Sequence, residues 1–211
     1  LLVVALLTMI VGILGAVAQA DIKRLLSFTL VSHIGYMIFG IAIGTVAGLN
    51  ATIFYIVHHI IVQTTLFLTA GLIERQSGST SINRIGGLLA AAPVIAVLYF
   101  IPALNLGGIP PFSGFLGKLA LFNSAAADPS WLAYTVMGVG ALTSLLTLYA
   151  LARVWNMAFW RPADEVEQYE SRLLEQLSEA PGGNNDGEAK STPGLMIAAT
   201  AGMVALSVAL T

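Results

Sequence analysis

The chain has 211 residues, of which 57% are hydrophobic and only 9% are charged, and its mean hydropathy is +0.85. This composition excludes an ordinary soluble domain and indicates a helical membrane protein. The absence of cysteine excludes disulfides and thiolate metal sites, and a formal net charge of −2 argues against a nucleic-acid-binding protein.

Five apolar stretches have the length of membrane-spanning helices, or nearly so. The first begins at Leu1 without a methionine or a basic flank, so we expect it to continue from a preceding part of a longer protein. We also expect a short turn at Gly48–Asn50 and a polar loop at Glu74–Arg84. In chain order, the predicted spans are Leu1–Ala20, Leu25–Gly48, Ala51–Ile73, Trp131–Trp155 and Leu195–Thr211.

A further apolar region, Leu88–Ala127, is interrupted in its middle by glycines and prolines. Proline lacks an amide hydrogen and glycine loosens the backbone, so this density of both breaks a helix. The interrupted stretch reads LNLGGIPPFSGFLGKLALF and contains Lys118, the only charged residue between Arg84 and Asp128. We therefore predict a helix that is broken beside a buried lysine.

The distribution of basic residues decides whether Leu88–Ala127 crosses the membrane once or twice. Of the nine Lys and Arg residues, eight remain when Lys118 is set aside. Two crossings would divide them equally between the two sides, whereas one broken crossing places all of them on one side, as the positive-inside rule favours. We therefore predict an all-α membrane protein with about six transmembrane helices. The predicted cytoplasmic segments are Asp21–Arg24, Glu74–Arg84 and Arg161–Thr192.

The segment before the last span has a different character. Apolar residues recur there at intervals of three and four positions among Glu and Gln: Val166, Tyr169, Leu173 and Leu177. This pattern predicts an amphipathic helix over Pro162–Ala180, and PGGNNDGEAKST after it predicts a flexible linker. The predicted organisation is therefore a transmembrane bundle at 1–160, a cytoplasmic helix and linker at 161–193, and a final transmembrane helix at 194–211.

Lys118 is the first candidate for chemistry, because a lysine at the bilayer centre costs about 2.5–3.5 kcal/mol on insertion scales. One interpretation is a lysine near a helix end that snorkels to the interface. The other is a proton carrier: a lysine withdrawn from water can bind and release a proton near neutral pH, whereas arginine holds its proton too tightly. A broken helix beside an ionisable group favours the second interpretation.

Histidines in the second and third spans are the next candidates. His58 and His59 lie mid-span, and His59 shares a helix face with Tyr55 and Gln63, which lie four residues before and after it. The pair is either structural or part of a proton relay, since imidazole titrates near neutrality. A metal site is a weaker interpretation, because these helices contain no carboxylate or cysteine. His33 is the single histidine of the second span. A single histidine in a membrane helix is more often a packing hydrogen-bond donor than a relay, so we favour the structural interpretation for it.

Four short stretches occur together and in order over residues 1 to about 155. They are Gln19–Arg24, Ser32–Tyr36, His59 with Leu66–Leu68 and Gly71, and Gly108–Pro110 with Gly114, Phe115 and Lys118. Their combination resembles the antiporter-like membrane subunits shared by Mrp-type cation/proton antiporters and respiratory complex I.

The resemblance implies a protein of fourteen transmembrane helices built from two inverted repeats, of which this chain is similar to the last six. It implies that Lys118 is the lysine of the second broken helix and that His59 is a relay histidine. The family commonly has a lysine four residues after that histidine, where this chain has Gln63. Glutamine can orient water but cannot carry a proton as a charge.

The function implied is a subunit of a multisubunit Na⁺ or other monovalent cation/proton antiporter in the plasma membrane, working with other subunits. It is expected to need no cofactor and not to be an enzyme. The expected proton path comprises Lys118, His59, His58, His33 and Gln63. Two alternatives remain: a proton-pumping subunit of NADH-quinone oxidoreductase, and a scaffold subunit that conducts nothing.

Overall fold

The computed structural model describes residues 1–127, 130–166 and 194–210, and within these ranges the regular structure is helical, without strands. Short 3₁₀ turns occur at Ile82–Arg84 and Ala163–Glu165, and a π-helical turn at Asn156–Trp160 extends the seventh helix. The α-helices are α1 Leu2–Ala18, α2 Ile22–Ile43, α3 Val46–Ser77, α4 Leu88–Ala91, α5 Pro93–Gly107, α6 Ser113–Ala126, α7 Trp131–Trp155 and α8 Gly194–Ala209.

Three of these helices are long and apolar enough to cross a membrane. They are α2 with 22 residues, α3 with 32, and α7 with its π-helical turn with 30. The helices α1, α5 and α8 are apolar but shorter. The all-helical membrane class is therefore confirmed, and the count of six crossings stays a prediction. The predicted amphipathic helix and linker fall mostly on residues 167–193, outside the described residues.

The predicted turn at Gly48–Asn50 is wrong. The chain turns earlier, at Gly44, which ends α2 with a φ of 70°, and at Thr45, whose hydroxyl accepts the backbone N–H of Gly48 at 3.0 Å. A threonine N-cap is favourable, because the first N–H groups of a helix have no partner within the helix. Gly48–Asn50 therefore belongs to α3.

The predicted polar loop also begins later than expected. α3 continues through Glu74 to Ser77 and ends at Gly78, which has a φ of 74°. The Nζ of Lys23, in the first turn of α2, lies 2.6 Å from the Oε2 of Glu74. Charged residues in a terminal helical turn can reach water while the backbone stays helical, so polarity alone placed the boundary too early.

The helices α1 and α2 pack closely through small residues. A Cβ on Gly12 would overlap the backbone of Ser32, and one on Gly35 would lie 2.8 Å from the backbone nitrogen of Met9. The Ser32 hydroxyl donates to the Met9 carbonyl oxygen at 2.9 Å. Such small-residue contacts are typical of helix interfaces in membranes, where apolar burial alone provides little attraction.

The predicted helix break is confirmed, because α5 ends at Gly107 and α6 begins at Ser113. The two halves lie one after the other along α3, α5 beside its C-terminal half and α6 beside its N-terminal half. Three contacts show this order: Thr69 with Leu98, His58 with Ser113, and Tyr55 with Gly117. Together, α5 and α6 therefore run antiparallel to the single long helix α3.

Three polar segments meet at one end of the bundle. Asp21 caps α2 by accepting the Arg24 N–H at 3.0 Å, and it also accepts the Thr80 hydroxyl. The Arg161 guanidinium donates to the carbonyl oxygens of Ile82 at 3.1 Å and Ile85 at 2.6 Å. The corner between α1 and α2, the loop after α3 and the end of α7 are thus held together.

Asp21 provides a test of this clamp. Partial burial raises the pKa of its carboxyl, but the hydrogen bonds from Thr80 and from the backbone of Arg24 outweigh burial and lower that pKa. A lowered pKa means that the cap is present at neutral pH and is lost only as the pH falls through the folded-state pKa. Replacing an aspartate N-cap by alanine typically costs about 0.5–2 kcal/mol.

We expect Asp21→Ala to expose the loop after α3, so that trypsin cleaves the folded complex faster at Arg84. Asn83→Ala is the matched control, because Asn83 is an exposed residue of the same loop. Equal cleavage rates in the two variants would contradict the role assigned to the Asp21 cap.

A buried polar cluster at the helix break

Lys118 lies in the second turn of α6, with only 4% of the residue exposed, and its side chain reaches the C-terminal end of α5. Its Nζ donates to the carbonyl oxygens of Leu106 at 2.9 Å and Gly107 at 3.2 Å, and to the Ser144 hydroxyl at 2.8 Å. An ammonium group has three hydrogens, and all three have acceptors here. This geometry does not fit a lysine that snorkels towards the interface. The amino group lies instead at the C-terminal end of α5, which is the negative end of the helix dipole.

Glycine at position 108 makes room for this arrangement. Gly108 ends α5 with a φ of 83°, and a Cβ there would lie 3.1 Å from both the Cδ and the Nζ of Lys118. A larger residue would therefore be strained and would press on the lysine. Ser144 of α7 completes the site by donating to the Gly107 carbonyl oxygen at 2.9 Å.

His58 and His59 are both buried and contact different helices. His58 Nδ1 lies 3.0 Å from the Ser113 hydroxyl at the start of α6. The ring of His59 lies 4.9 Å from the ring of His33 on α2, centroid to centroid. Adjacent residues diverge by about 100° on a helix, and the structure shows the consequence: one histidine faces the helix break and the other faces α2.

His33 has closer connections to this cluster than the sequence suggested. Its Nδ1 lies 2.8 Å from the Tyr55 hydroxyl. The ring of Tyr36 lies 5.6 Å from the ring of His33, and the Nζ of Lys118 lies 5.6 Å from the centroid of the Tyr36 ring. Tyr36 therefore lies between the lysine and the histidines, where its hydroxyl bonds Thr143 at 2.8 Å.

Gln63 lies one turn beyond His59 and is also buried. Its Nε2 donates to the Leu26 carbonyl oxygen at 2.6 Å, which ties α3 to α2. The polar line predicted along α3, from Tyr55 through His59 to Gln63, is thus entirely buried. These residues face α2. Among the described residues, none of their hydrogen-bond partners is a carboxylate.

Four buried polar atoms of the cluster find no partner among the described protein groups. They are the Nε2 atoms of His33, His58 and His59 and the Oε1 of Gln63. Buried polar atoms are normally hydrogen-bonded. These four atoms are therefore the open hydrogen-bonding positions of the cluster, and they are suited to bind water.

The cluster has no metal-ligand pattern. In residues 1–127, 130–166 and 194–210, no group of three or more His, Cys, Asp or Glu side chains is placed to hold a metal ion.

The sequence did not reveal several members of the cluster, because Asn105, Ser113 and Ser144 look ordinary in the sequence. Only Asn105 could have been singled out, as a polar residue in the last turn of the apolar helix α5.

Proteins with similar sequences belong to one membrane family. The family model described as NADH:quinone oxidoreductase/Mrp antiporter, transmembrane, matches residues 1–147. The chain is 42% identical over 168 residues to the D-type Na⁺/H⁺ antiporter subunit of Alkalihalophilus pseudofirmus, covering 80% of this chain and 34% of that protein. It is 32% identical to the D-type Na⁺/H⁺ antiporter subunit of Bacillus subtilis, covering 82% of this chain and 34% of that protein.

Solved structures show the same likeness. The Mrp complex from Dietzia sp. contains a chain that matches 99% of this chain with a TM-score of 0.79 and 33% identity, over 43% of its own length. Respiratory complex I from Thermus thermophilus contains one that matches 76% of this chain with a TM-score of 0.70 and 29% identity, over 34% of its own length. The chain spans about a third of the length of the curated relatives it matches.

Proposed function

The chain belongs to the NADH:quinone oxidoreductase/Mrp antiporter transmembrane family, and from this membership we propose that it acts in a subunit of a multisubunit monovalent cation/proton antiporter. The relatives from Alkalihalophilus pseudofirmus and Bacillus subtilis are both named as Na⁺/H⁺ antiporter subunits. The complex would lie in the plasma membrane, and this subunit would work with others, as in the Mrp complex that it resembles. Its role would be ion translocation and not enzymatic catalysis.

The burial of Lys118 at the helix break is the observation that carries this proposal. The acceptors of its ammonium group are two carbonyls and a hydroxyl, all neutral. Breaking a buried ion pair is costly, because it leaves one charge without its partner. None of these three acceptors is a carboxylate, so loss of the lysine proton would not leave a buried negative charge unpaired. The Ser144 hydroxyl can reverse its direction and donate to a neutral amine. The site can thus accommodate both states of the lysine.

The proposed path runs from Lys118 to the histidines. Among the described residues the partners of Nζ do not include a histidine, so bound water must complete the connection. The open Nε2 atoms of His33, His58 and His59, and the open Oε1 of Gln63, are the positions that would hold such water. Gln63 would orient water and carry no charge.

The contacts also support six crossings. The broken pair α5–α6 runs antiparallel to α3 and would count as one crossing beside α1, α2, α3, α7 and α8. Asp21 bonds Thr80, and Arg161 bonds the carbonyls of Ile82 and Ile85. The three basic segments therefore meet at one end of the bundle, which we propose to be cytoplasmic in accordance with the positive-inside rule.

Two other functions have specific support. Likeness to complex I favours a redox-powered proton pump. The hydrogen bonds of Lys118 and Gln63 to backbone carbonyls favour a scaffold, since Lys118 satisfies the end of α5 and Gln63 ties two helices together. The family match does not separate these functions, so transport has to be measured.

The test uses inverted membrane vesicles from cells that contain the complete complex with the full-length protein, and vesicles that lack this subunit. We expect added Na⁺ or K⁺ to collapse an imposed pH gradient only when the subunit is present, with assembly checked by blotting. An assembled complex without a cation response would overturn the antiporter proposal. Loss of NADH-driven proton pumping on removal of the subunit would then favour the redox-powered alternative.

A further inference from the structure

Asn105 connects the helix break to the last helix. It lies in the final turn of α5, is fully buried, and uses both ends of its amide. Its Oδ1 accepts the backbone N–H of Gly114 at 2.9 Å and lies 3.2 Å from the Ser113 hydroxyl. Its Nδ2 donates to the Ser207 carbonyl oxygen of α8 at 3.2 Å.

Backbone groups fix the orientation of this amide. A backbone N–H can only donate and a carbonyl oxygen can only accept. The opposite orientation of the amide would direct its NH₂ group at the Gly114 N–H and its oxygen at the Ser207 carbonyl oxygen, so both contacts would become repulsive. The oxygen of Asn105 must therefore face the start of α6.

This orientation determines the direction of the next hydrogen bond. Oδ1 of Asn105 has no hydrogen, so the Ser113 hydroxyl has to donate to it. Two oxygens at 3.2 Å with no hydrogen between them would repel each other. Ser113 has only one hydroxyl hydrogen, and towards His58 its oxygen therefore acts as the acceptor.

The protonation of His58 follows from the same chain of bonds. Its Nδ1, 3.0 Å from the Ser113 oxygen, must carry the hydrogen. In the neutral imidazole the other nitrogen then has the lone pair. That atom, Nε2, is buried and has no partner among the described protein groups. It is the one nitrogen of His58 that can accept a further proton.

We propose that Asn105 is a positioning residue that holds His58 in the Nδ1–H tautomer through Ser113 and makes Nε2 the proton-accepting atom. The inference rests on the proposed function, in that His58 belongs to the proton path. It goes further by naming the atom of His58 that is used and the residue that determines it.

The tautomer can be measured directly. The sample is the full-length protein in its complete complex in lipid, labelled with ¹⁵N and ¹³C histidine and studied by solid-state NMR. Subtracting the spectrum of a His58→Gln variant identifies the signals of His58. We expect a protonated Nδ1 and an unprotonated Nε2 in the wild type at alkaline pH.

Two variants remove the chain of bonds at different points. Asn105→Leu frees the Ser113 hydroxyl to donate to Nδ1, and Ser113→Ala removes the acceptor altogether. In both variants we expect a loss of the pure Nδ1–H signal and a shift towards the Nε2–H tautomer. Ser113→Thr keeps the hydroxyl and should keep the wild-type spectrum. Ser124→Ala, on the same helix with its hydroxyl bonded to the Leu121 carbonyl, is the matched control.

An Nε2–H tautomer in the wild type would overturn the proposal, and so would a spectrum that Ser113→Ala leaves unchanged. The wild-type result stands even where Asn105→Leu fails to assemble. The tautomer can be measured whether or not the complex transports ions. A different tautomer would therefore overturn this inference alone, whereas failure of the proton path is measured with variants of Lys118.

Discussion

Replacing Lys118 by alanine is expected to reduce cation-induced proton movement to the background of vesicles that lack the subunit, while the complex still assembles. The expected loss is at least about a hundredfold, which is typical for removal of a group that transfers protons. The reason is local: Lys118 is the only charged residue between Arg84 and Asp128, and it lies at the break between α5 and α6.

Lys118→Arg separates proton transfer from charge. Arginine retains the positive charge at the end of α5 but does not release a proton near neutral pH. We therefore expect this variant to transport as poorly as Lys118→Ala. Lys23→Ala is the matched control, because the side chain of Lys23 is 45% exposed in its ion pair with Glu74, and exposed ion pairs contribute little. It should transport at the wild-type rate.

The result that would contradict the proton path is an assembled Lys118→Ala complex with wild-type transport. Lys118 would then serve only to satisfy the carbonyls of Leu106 and Gly107 at the end of α5. The scaffold interpretation would gain support, and the proton path would have to lie in another part of the complex.

The sequence was sufficient to locate the helix break and its lysine, because both depend on local chemistry. Glycine and proline disrupt a helix wherever they cluster, and a single charge in a long apolar stretch is conspicuous. The two buried histidines of α3 could be found in the same way. Their different neighbours also follow from helix geometry, although the identity of those neighbours does not.

The partners in the cluster depend on tertiary contacts and could not be predicted. Asn105 and Ser207 are 102 positions apart in the chain, and Lys118 and Ser144 are 26 apart. No local pattern marks such pairs. The contacts of His33 with Tyr55 and His59 on a neighbouring helix could not be predicted for the same reason.

The position of the turn before α3 was mispredicted for a different physical reason. Gly48 and Asn50 are poor helix formers in water, and their proximity suggested a turn. In the structure Thr45 begins the helix before them, and both residues fall in its first turns. There the N-cap and the packing against α2 determine where the helix begins. They outweigh the low intrinsic helix propensity of Gly48 and Asn50.

Gly114→Ala is expected to prevent the break from closing correctly and to lower the amount of assembled complex several-fold. A Cβ at Gly114 would overlap the backbone carbonyl oxygen of Asn105 and lie 3.1 Å from the Cε1 of His58. Overpacking typically costs about 1–3 kcal/mol, and an obstacle made of backbone cannot rotate away. The start of α6 would have to move, with loss of the hydrogen bond from Gly114 to Asn105.

Gly138→Ala provides the matched control, since a Cβ at this exposed position of α7 would meet nothing within 4 Å. Alanine is about 1 kcal/mol more favourable than glycine inside a helix, so this variant should assemble fully. The measurement is the amount and the thermal stability of the detergent-solubilised complex. If Gly114→Ala were indistinguishable from Gly138→Ala, the close approach of α5 and α6 would not be needed for assembly. If Gly114→Ala lowers assembly, whereas Lys118→Ala assembles fully but fails to transport, the break requires its glycine for packing and its lysine for transport.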